Sequence, residues 1–256
     1  MLSPLTLESL KQADPDRLRS AGFSDAALAA DLTLLYAFHY ELAKVPEIVS
    51  EPMIGQIRYQ WWRDVVTEIY EDKPVRAHEV TTPLAALFKK SEMPRFWVDR
   101  LIDARERDLD PTPFNNLDAA KDYCAQTSGL LMQMAVAIAA SHNATSSLNM
   151  DAVALAGQSW GLTGLARSWR FYHGSMLNSL EFEAVCEAAN EDYNKAKPSL
   201  GAIPVPVIPT ISYAALIPKY LKRMTSKHHN PETMMPSYAP PLKTLRLLGV
   251  SMTGKI

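Results

Sequence analysis

Apolar residues recur at a helical spacing along almost the whole of this 256-residue chain. In residues 25–45 they return every three or four positions, which places them on one face of a helix. Ser24 and Asp25 precede that stretch, where a short polar side chain can cap the free N–H groups of the first turn. Pro46 is expected to end or kink this helix, because a proline displaces the residue before it from helical geometry.

The same spacing predicts further helices, and no alternating pattern between turn signals demands a sheet. These helices cover residues 53–71, 80–90, 94–108, 117–142, 150–170 and 180–195. We therefore expect an all-α chain that forms a single domain over residues 1–256, with most of its helices around a long central bundle.

Composition removes several classes of function. With 47% hydrophobic and 21% charged residues, the chain has an ordinary globular composition. Its formal net charge of −2 argues against a nucleic-acid-binding protein, which usually carries a basic excess. The two cysteines, Cys124 and Cys186, argue against a disulfide scaffold and a structural zinc site, and favour a reducing compartment. Neither a leader peptide nor a transmembrane segment is predicted.

The charges are unevenly distributed along the chain. Residues 219–256 carry seven basic side chains against Glu232 alone, a net +6 that leaves −8 on residues 1–218. This segment is either a solvated tail on an acidic domain or a peripheral contact with anionic lipid, to which each basic residue contributes roughly 1 kcal/mol. The residues predicted to make the lipid contact are Lys219, Lys222, Arg223 and Lys227.

Short catalytic motifs are sparse. Asp99 and Asp103 form one DxxxD pair on a shared helix face, a spacing from which two carboxylates can hold Mg²⁺. Arginines interleaved with these acids favour a solvated helix surface instead. The sequence has no GxSxG, GxxxxGK[ST] or HExxH motif, so serine hydrolase, P-loop and zinc protease functions have no support.

Five segments, in order, resemble the squalene/phytoene synthase family of head-to-head prenyl transferases. They are LYAF at 35–38, LIDARERDL at 101–109, YCAQTSG at 123–129, GLTGLARS at 161–168 and IPTISYAALIPKYLKRM at 208–224. The resemblance covers nearly the whole chain and implies the all-α isoprenoid synthase fold.

Both acidic boxes of the family are depleted. Active members follow YAF with an arginine and a DDxxD-like box, whereas this chain has Tyr40 in place of the arginine. Ala43 and Lys44 stand at the first two acidic positions, and Glu47 keeps the last. In the second box a glycine and a serine replace the asparagine and aspartate, and Arg167 alone remains of the polar set.

The resemblance therefore implies a non-catalytic member that needs no cofactor, because metal ions supply most of the stabilisation when diphosphate departs. The alternative is an active Mg²⁺-dependent prenyl transferase that makes squalene or phytoene. Its magnesium would need an unusual ligand set of Glu41, Glu47 and Asp103.

The resemblance also implies a degenerate cavity at the former active site. Its candidate lining residues are Tyr36, Tyr40, Glu41, Lys44, Glu47, Asp103, Tyr123, Gly129 and Arg167. Simple packing remains an alternative for Tyr36, and a surface ion pair for Glu41 with Lys44. A buried guanidinium needs a partner, so Arg167 is predicted to pair with Glu41 or Glu47.

One subgroup of the family fits better than the rest. Residues 37–66, AFHYELAKVPEIVSEPMIGQIRYQWWRDVV, are similar to a bacterial and mitochondrial subgroup whose mitochondrial members are assembly factors for respiratory complex I. This implies a protein partner in respiratory complex assembly or a bound prenyl-type lipid, and no nucleic acid. The expected location is cytoplasmic, with a membrane-peripheral alternative, or the mitochondrial matrix if the chain is eukaryotic. A bacterial source is favoured because no transit peptide is visible.

Overall fold

The computed structural model describes residues 2–142, 148–236 and 238–256, and these residues contain helices and no strand. The expected all-α class is confirmed. The helices are α1 (Pro4–Ala13), α2 (Pro15–Ala21), α3 (Ala26–Ala43), α4 (Val45–Ile48), α5 (Pro52–Tyr70), α6 (Thr81–Lys90), α7 (Arg95–Glu106), α8 (Leu117–Cys124), α9 (Leu130–Ala140), α10 (Met150–Arg167), α11 (Trp169–Tyr172), α12 (Phe182–Leu200), α13 (Ile208–Ile211), α14 (Ile217–Met224) and α15 (Pro240–Thr253). A π turn covers Ala125–Gly129, and 3₁₀ turns cover Arg107–Leu109, Val205–Val207 and Ser212–Leu216.

The ends of α3 follow the local sequence. One carboxylate oxygen of Asp25 accepts the backbone N–H groups of Ala27 and Leu28 at 2.9 and 3.0 Å, which confirms the predicted cap. The helix ends at Ala43, and Pro46 lies in the first turn of the short helix α4, so the predicted break is also confirmed.

The stretch predicted as one helix over residues 117–142 is interrupted. Helices α8 and α9 are joined by the π turn Ala125–Gly129, which accommodates one more residue per turn than an α-helix. Helix α10 packs directly on this turn. A Cβ added to Gly157 would lie 2.6 Å from the Ser128 carbonyl oxygen, so the two backbones are in contact. Only glycine permits such an approach.

Helix α10 lies at the centre of the bundle. It packs against α12 on one side and against α8, α9 and the π turn on another, while α3 packs against α6 and α9. The largest fully buried side chains are aromatic: Tyr36, Tyr59, Tyr213, Tyr220, Phe38 and Phe88. Of these elements, α3, α8, α10 and the π turn also line the cavity of the candidate site.

The basic C-terminal segment is not a solvated tail, so that alternative is wrong. Leu247 and Val250 of α15 are fully buried, and Ile256 is 3% exposed. The backbone N–H of Ile203 donates to the Gly254 carbonyl at 2.8 Å. Sequence charge alone missed this packing because it does not show that one of the cations, Lys243, is buried against Asp16. Within the described ranges, no helix is both long and apolar enough to cross a membrane.

Candidate functional site

A cavity of about 360 Å³ opens between α3 and α10 and is closed by the start of α2, the end of α7 and helix α8. Four carboxylates and four cations lie in its wall. They are Asp14, Asp16, Glu47 and Asp108, with Arg17, Lys44, Arg105 and Arg167. The charges balance, so the geometry of their pairing decides what the cavity can bind.

Arg105 is at the centre of one buried network. Its guanidinium donates to Asp108 at 3.0 Å and to the Tyr123 hydroxyl at 2.7 Å, and that hydroxyl donates to Asp108 at 2.6 Å. Burial alone would lower the pKa of Arg105, but Tyr123 and Asp108 outweigh it and raise that pKa. The carboxylate of Asp108 is thus occupied by two donors.

His39 completes this network from α3. Its Nε2 lies 2.7 Å from the guanidinium of Arg105. Burial first, and then the neighbouring cations Arg105 and Arg17, lower the pKa of His39 well below its ordinary value. The ring is therefore neutral, and Nε2 accepts the hydrogen bond while the proton lies on Nδ1.

Arg17 forms a second buried network at the start of α2. It pairs with Asp14 at 2.6 Å and donates to the Ser128 hydroxyl at 3.3 Å. Burial alone would lower the pKa of Arg17, but Asp14 and Tyr213 raise it above the ordinary range. Beside it, the buried Tyr36 hydroxyl makes no hydrogen bond within the described part of the chain.

Asp16 organises the third network, and Arg167 belongs to it. Arg167 approaches the Asp16 carboxylate at 3.8 Å and lies over the Tyr220 ring at 4.3 Å from its centre. The Tyr220 hydroxyl donates to Asp16 at 2.6 Å, and the ammonium of Lys243 donates at 2.8 Å. Arg19 of α2 also pairs with Asp16, at 3.2 Å, so this carboxylate is contacted by cations of α2, α10 and α15.

The wall also contains a thiol. Cys124 is 1% exposed, and burial raises the pKa of its thiol well above the ordinary value. Since the thiolate is the nucleophile, this cysteine is unreactive at neutral pH.

The comparison with known protein families decides what this arrangement is. The model of the squalene/phytoene synthase family matches residues 10–171, which include the α3, α7, α8 and α10 walls of the cavity. The chain belongs to the squalene/phytoene synthase family. Its fold is accordingly the all-α isoprenoid synthase fold.

Several curated relatives match this chain over about half of its length. The mouse and human proteins named NADH dehydrogenase (ubiquinone) complex I, assembly factor 6 are each 30% identical over 132 residues. That match covers 52% of this chain and 39% of each relative. The homolog from Dictyostelium discoideum is 22% identical over 126 residues, or 49% of this chain and 35% of its own. The chain thus spans about two fifths of the length of the curated relatives it matches.

Most of the residues predicted from the synthase motifs line the cavity. These are Tyr36, Tyr40, Lys44, Glu47, Tyr123 and Arg167. Glu41, Asp103 and Gly129 do not belong to its wall. Their positions therefore correct the predicted set.

Glu41 faces away from the synthase cavity. It lines a second hollow of about 310 Å³ beside Trp61 and Ile57, and it pairs with Lys44, which touches both hollows. Neighbouring residues of a helix point in different directions, so Tyr40 lines the first cavity and Glu41 does not. Glu41 instead shares a face with Lys44, three residues further on, at the second hollow. The predicted ion pair between Glu41 and Lys44 is present, but both side chains are partly buried in the wall of the second hollow.

Asp103 lies on the outer surface of α7. Its side chain is 63% exposed and pairs with Arg63 at 2.6 Å, while Asp99 pairs with Arg95 at 3.4 Å. The interpretation of this DxxxD pair as a solvated surface is confirmed. Gly129 serves packing, since a Cβ there would lie 2.9 Å from the Ala154 carbonyl oxygen of α10.

The predicted partner of Arg167 is wrong. Neither Glu41 nor Glu47 pairs with Arg167. The carboxylate beside it is that of Asp16 in α2, whose side chain is only 2% exposed. The sequence indicates that this arginine needs an acidic partner, but it does not show which carboxylate the fold places beside it.

Magnesium fits this cavity poorly. Glu41, Glu47 and Asp103, the ligands that an active enzyme would need, lie in three different places. Over the residues that the structure describes, no three His, Cys, Asp or Glu side chains form a group able to hold a metal ion. The wall carboxylates Asp14, Asp16 and Asp108 bind cationic side chains instead.

Sequence reasoning missed the contribution of α2 to the site. Asp14, Asp16 and Arg17 lie in the segment Asp14-Pro-Asp-Arg, where a proline begins a seven-residue helix. Proline in a first turn and an acid beside it are signals of a helix start. These signals predict a helix at this point of the sequence. They do not show that the helix lies in the wall of the cavity.

Proposed function

We propose that this chain is a non-catalytic member of the squalene/phytoene synthase family that acts by binding, as an assembly factor for a respiratory NADH dehydrogenase of the complex I type. Its partner is then a protein subunit or intermediate of that complex. We further propose that it needs no metal cofactor, and that it works in the cytoplasm or, in a eukaryote, in the mitochondrial matrix.

The observation that carries the proposal is the internal neutralisation of the cavity. Asp108 is bound by Arg105 and Tyr123, Asp14 by Arg17, and Asp16 by Lys243. Prenyl transfer needs carboxylates free to hold Mg²⁺ against a diphosphate group. These three carboxylates are occupied by arginine and lysine, which supports the proposal that the cavity has lost the metal chemistry of active synthases.

The curated relatives support the same proposal. Proteins from mouse, human and Dictyostelium that match this chain are named as complex I assembly factors. The mouse and human matches each cover 52% of this chain, and the Dictyostelium match covers 49%.

A turnover assay tests the catalytic half. Purified protein is incubated with farnesyl or geranylgeranyl diphosphate, Mg²⁺ or Mn²⁺ and NADPH, and diphosphate release is followed. We expect no release above a metal-only blank from protein shown to be folded by circular dichroism. Release well above the blank would refute the non-catalytic proposal.

Deletion of the gene tests the assembly half. We expect less assembled NADH dehydrogenase on native gels and slower NADH oxidation by membranes, with the squalene and phytoene content unchanged. The wild-type gene restores both. Normal complex assembly together with loss of a prenyl product would favour the active synthase instead.

A second candidate is retention of a prenyl-type lipid without turnover. The buried Tyr36 hydroxyl and the Nε groups of Arg17 and Arg105 make no hydrogen bond among the described residues, so the wall offers polar groups to a ligand. Organic extraction of protein purified from its source, followed by mass spectrometry, tests this candidate. Absence of any prenyl lipid at a stoichiometric level would remove it.

A further inference from the structure

Helix α15 has a second apolar face, directed away from the bundle. Its inner face buries Leu247 and Val250. The outer residues are large and exposed: Leu242 at 47%, Leu245 at 63%, Leu248 at 45% and Met252 at 79%. At 100° per residue they fall within an arc of about 120°, a continuous stripe along the helix.

The fold holds this stripe in place. Lys243, from the buried side of α15, donates to Asp16 at 2.8 Å, and the Gly254 carbonyl accepts the Ile203 N–H at 2.8 Å. Both ends of the helix are thus anchored to the bundle. The stripe is presented by a fixed helix, so its exposure does not come from a loose end.

The segment that carries the stripe is basic. Lys219, Lys222, Lys227 and Lys255 are exposed, and Arg223 of α14 lies over the Tyr238 ring at 5.4 Å. Arg246 of α15 is an exposed residue whose Nε donates to the Ala215 carbonyl oxygen at 3.3 Å. Between residues 219 and 256 the sequence contains a single acid, Glu232.

We propose that the outer face of α15 inserts into the surface of an anionic phospholipid bilayer. A helix of this kind lies in the plane of the interface, with its apolar side chains below the headgroups. The exposed lysines of the same basic segment then attract the anionic phosphates electrostatically. Charge complementarity selects this occupant over an uncharged protein surface. The inference does not depend on the proposed function, since an inactive or an active chain would use the same face.

Vesicle sedimentation of the full-length protein tests the inference. Vesicles of phosphatidylcholine alone are compared with vesicles that also contain phosphatidylglycerol. We expect the bound-to-free ratio to rise roughly tenfold or more with the anionic lipid, and to fall again as salt is added. Equal binding to both vesicle types, or none to either at low salt, would overturn the proposal.

Substitutions on the stripe identify the face. Leu245→Asp and Met252→Asp change exposed positions, so the variants should keep the wild-type melting temperature while losing sedimentation with anionic vesicles. Leu5→Asp is the matched control, since Leu5 is 78% exposed on α1. The control should bind as the wild type does. If Leu245→Asp binds anionic vesicles as the wild type does, the stripe is not the membrane-binding face. If the wild type is a dimer that this substitution dissociates, the stripe is a dimer interface and the proposal is wrong.

Discussion

The ammonium of Lys243 lies 2.8 Å from a carboxylate oxygen of Asp16 and joins the last helix of the chain to its second. Both side chains are buried, and Arg167 of the cavity wall approaches the same carboxylate. One acidic side chain therefore connects α2, α10 and α15. The stability of the C-terminal helix and the electrostatics of the cavity depend on it together.

Replacement of Lys243 by methionine should destabilise the protein. Methionine fills a similar volume but removes the closest cation of Asp16 and its charged hydrogen bond. Arg19 and Arg167 still approach the carboxylate, so the expected cost is about 2 kcal/mol. Urea unfolding followed by circular dichroism measures the change. The exposed Lys222→Met is the matched control and should lie within about 0.5 kcal/mol of the wild type. Equal unfolding midpoints for the two variants would show that the buried pair contributes nothing.

Stability should fall as the pH drops below about 6.5. His39 is buried and neutral, and its folded-state pKa lies well below the ordinary 6.5. The unfolded chain therefore binds a proton that the folded chain does not, so the free energy of unfolding decreases by up to about 1.4 kcal/mol per pH unit from this group.

His39→Gln isolates that contribution, because glutamine can accept the hydrogen bond from Arg105 and does not titrate. Denaturant unfolding at several pH values between 7 and 5 should show a shallower slope for this variant. Substitution of the exposed His228 by glutamine serves as the control and should retain the wild-type slope. Identical slopes for wild type and His39→Gln would contradict the neutral buried state.

Two glycines of α10 should respond in opposite directions to alanine. In Gly157→Ala the new Cβ meets the Ser128 carbonyl at 2.6 Å, so overpacking should cost about 2 kcal/mol or more. In Gly164→Ala the new Cβ meets nothing within 4 Å, and the better helix former should add about 0.8 kcal/mol. Thermal melts of the two variants make the comparison. A lower melting temperature for Gly164→Ala than for Gly157→Ala would refute the close approach of α10 to the π turn.

Added magnesium should leave the melting temperature unchanged. A ligand that binds only the folded state stabilises it in proportion to the logarithm of its concentration over its Kd. Since three of the four cavity carboxylates, Asp14, Asp108 and Asp16, already bind Arg17, Arg105 and Lys243, Mg²⁺ has no cluster of free carboxylates there. Differential scanning fluorimetry over a range of Mg²⁺ concentrations measures the effect, with Ca²⁺ as a control for nonspecific ions. A rise specific to Mg²⁺ would restore the metal-dependent alternative.

The sequence predicted the helices well and the cavity only in part. Periodicity and the Asp25 cap located α3 because these signals act within a few residues. The motif resemblance located Tyr36, Tyr123 and Arg167 in the wall. The pairing of Arg167 with Asp16 was not predictable, because the two residues lie on helices whose approach depends on packing of the whole bundle. A pattern along one helix does not report which helix faces it.

Helix α15 shows a second limit of periodicity. Leu242, Leu245, Leu247, Leu248 and Val250 surround the helix, so no single apolar face distinguishes itself in the sequence. Only the packed structure separates the inner residues from the exposed ones. The solvated-tail alternative failed for this reason, since the basic composition suggested solvent and the contacts that anchor the helix are tertiary.

The π turn at Ala125–Gly129 has a consequence for alignment. An extra residue in one turn advances the side chains that follow by about 100° around the axis, so α8 and α9 are out of phase with each other. Tyr123 and Cys124 before the turn face the cavity, whereas Leu131 and Met134 after it face the core. An alignment that carries one helical phase through residues 117–140 would assign these positions to the wrong sides of the helix. A one-residue gap placed in the turn keeps both halves in register.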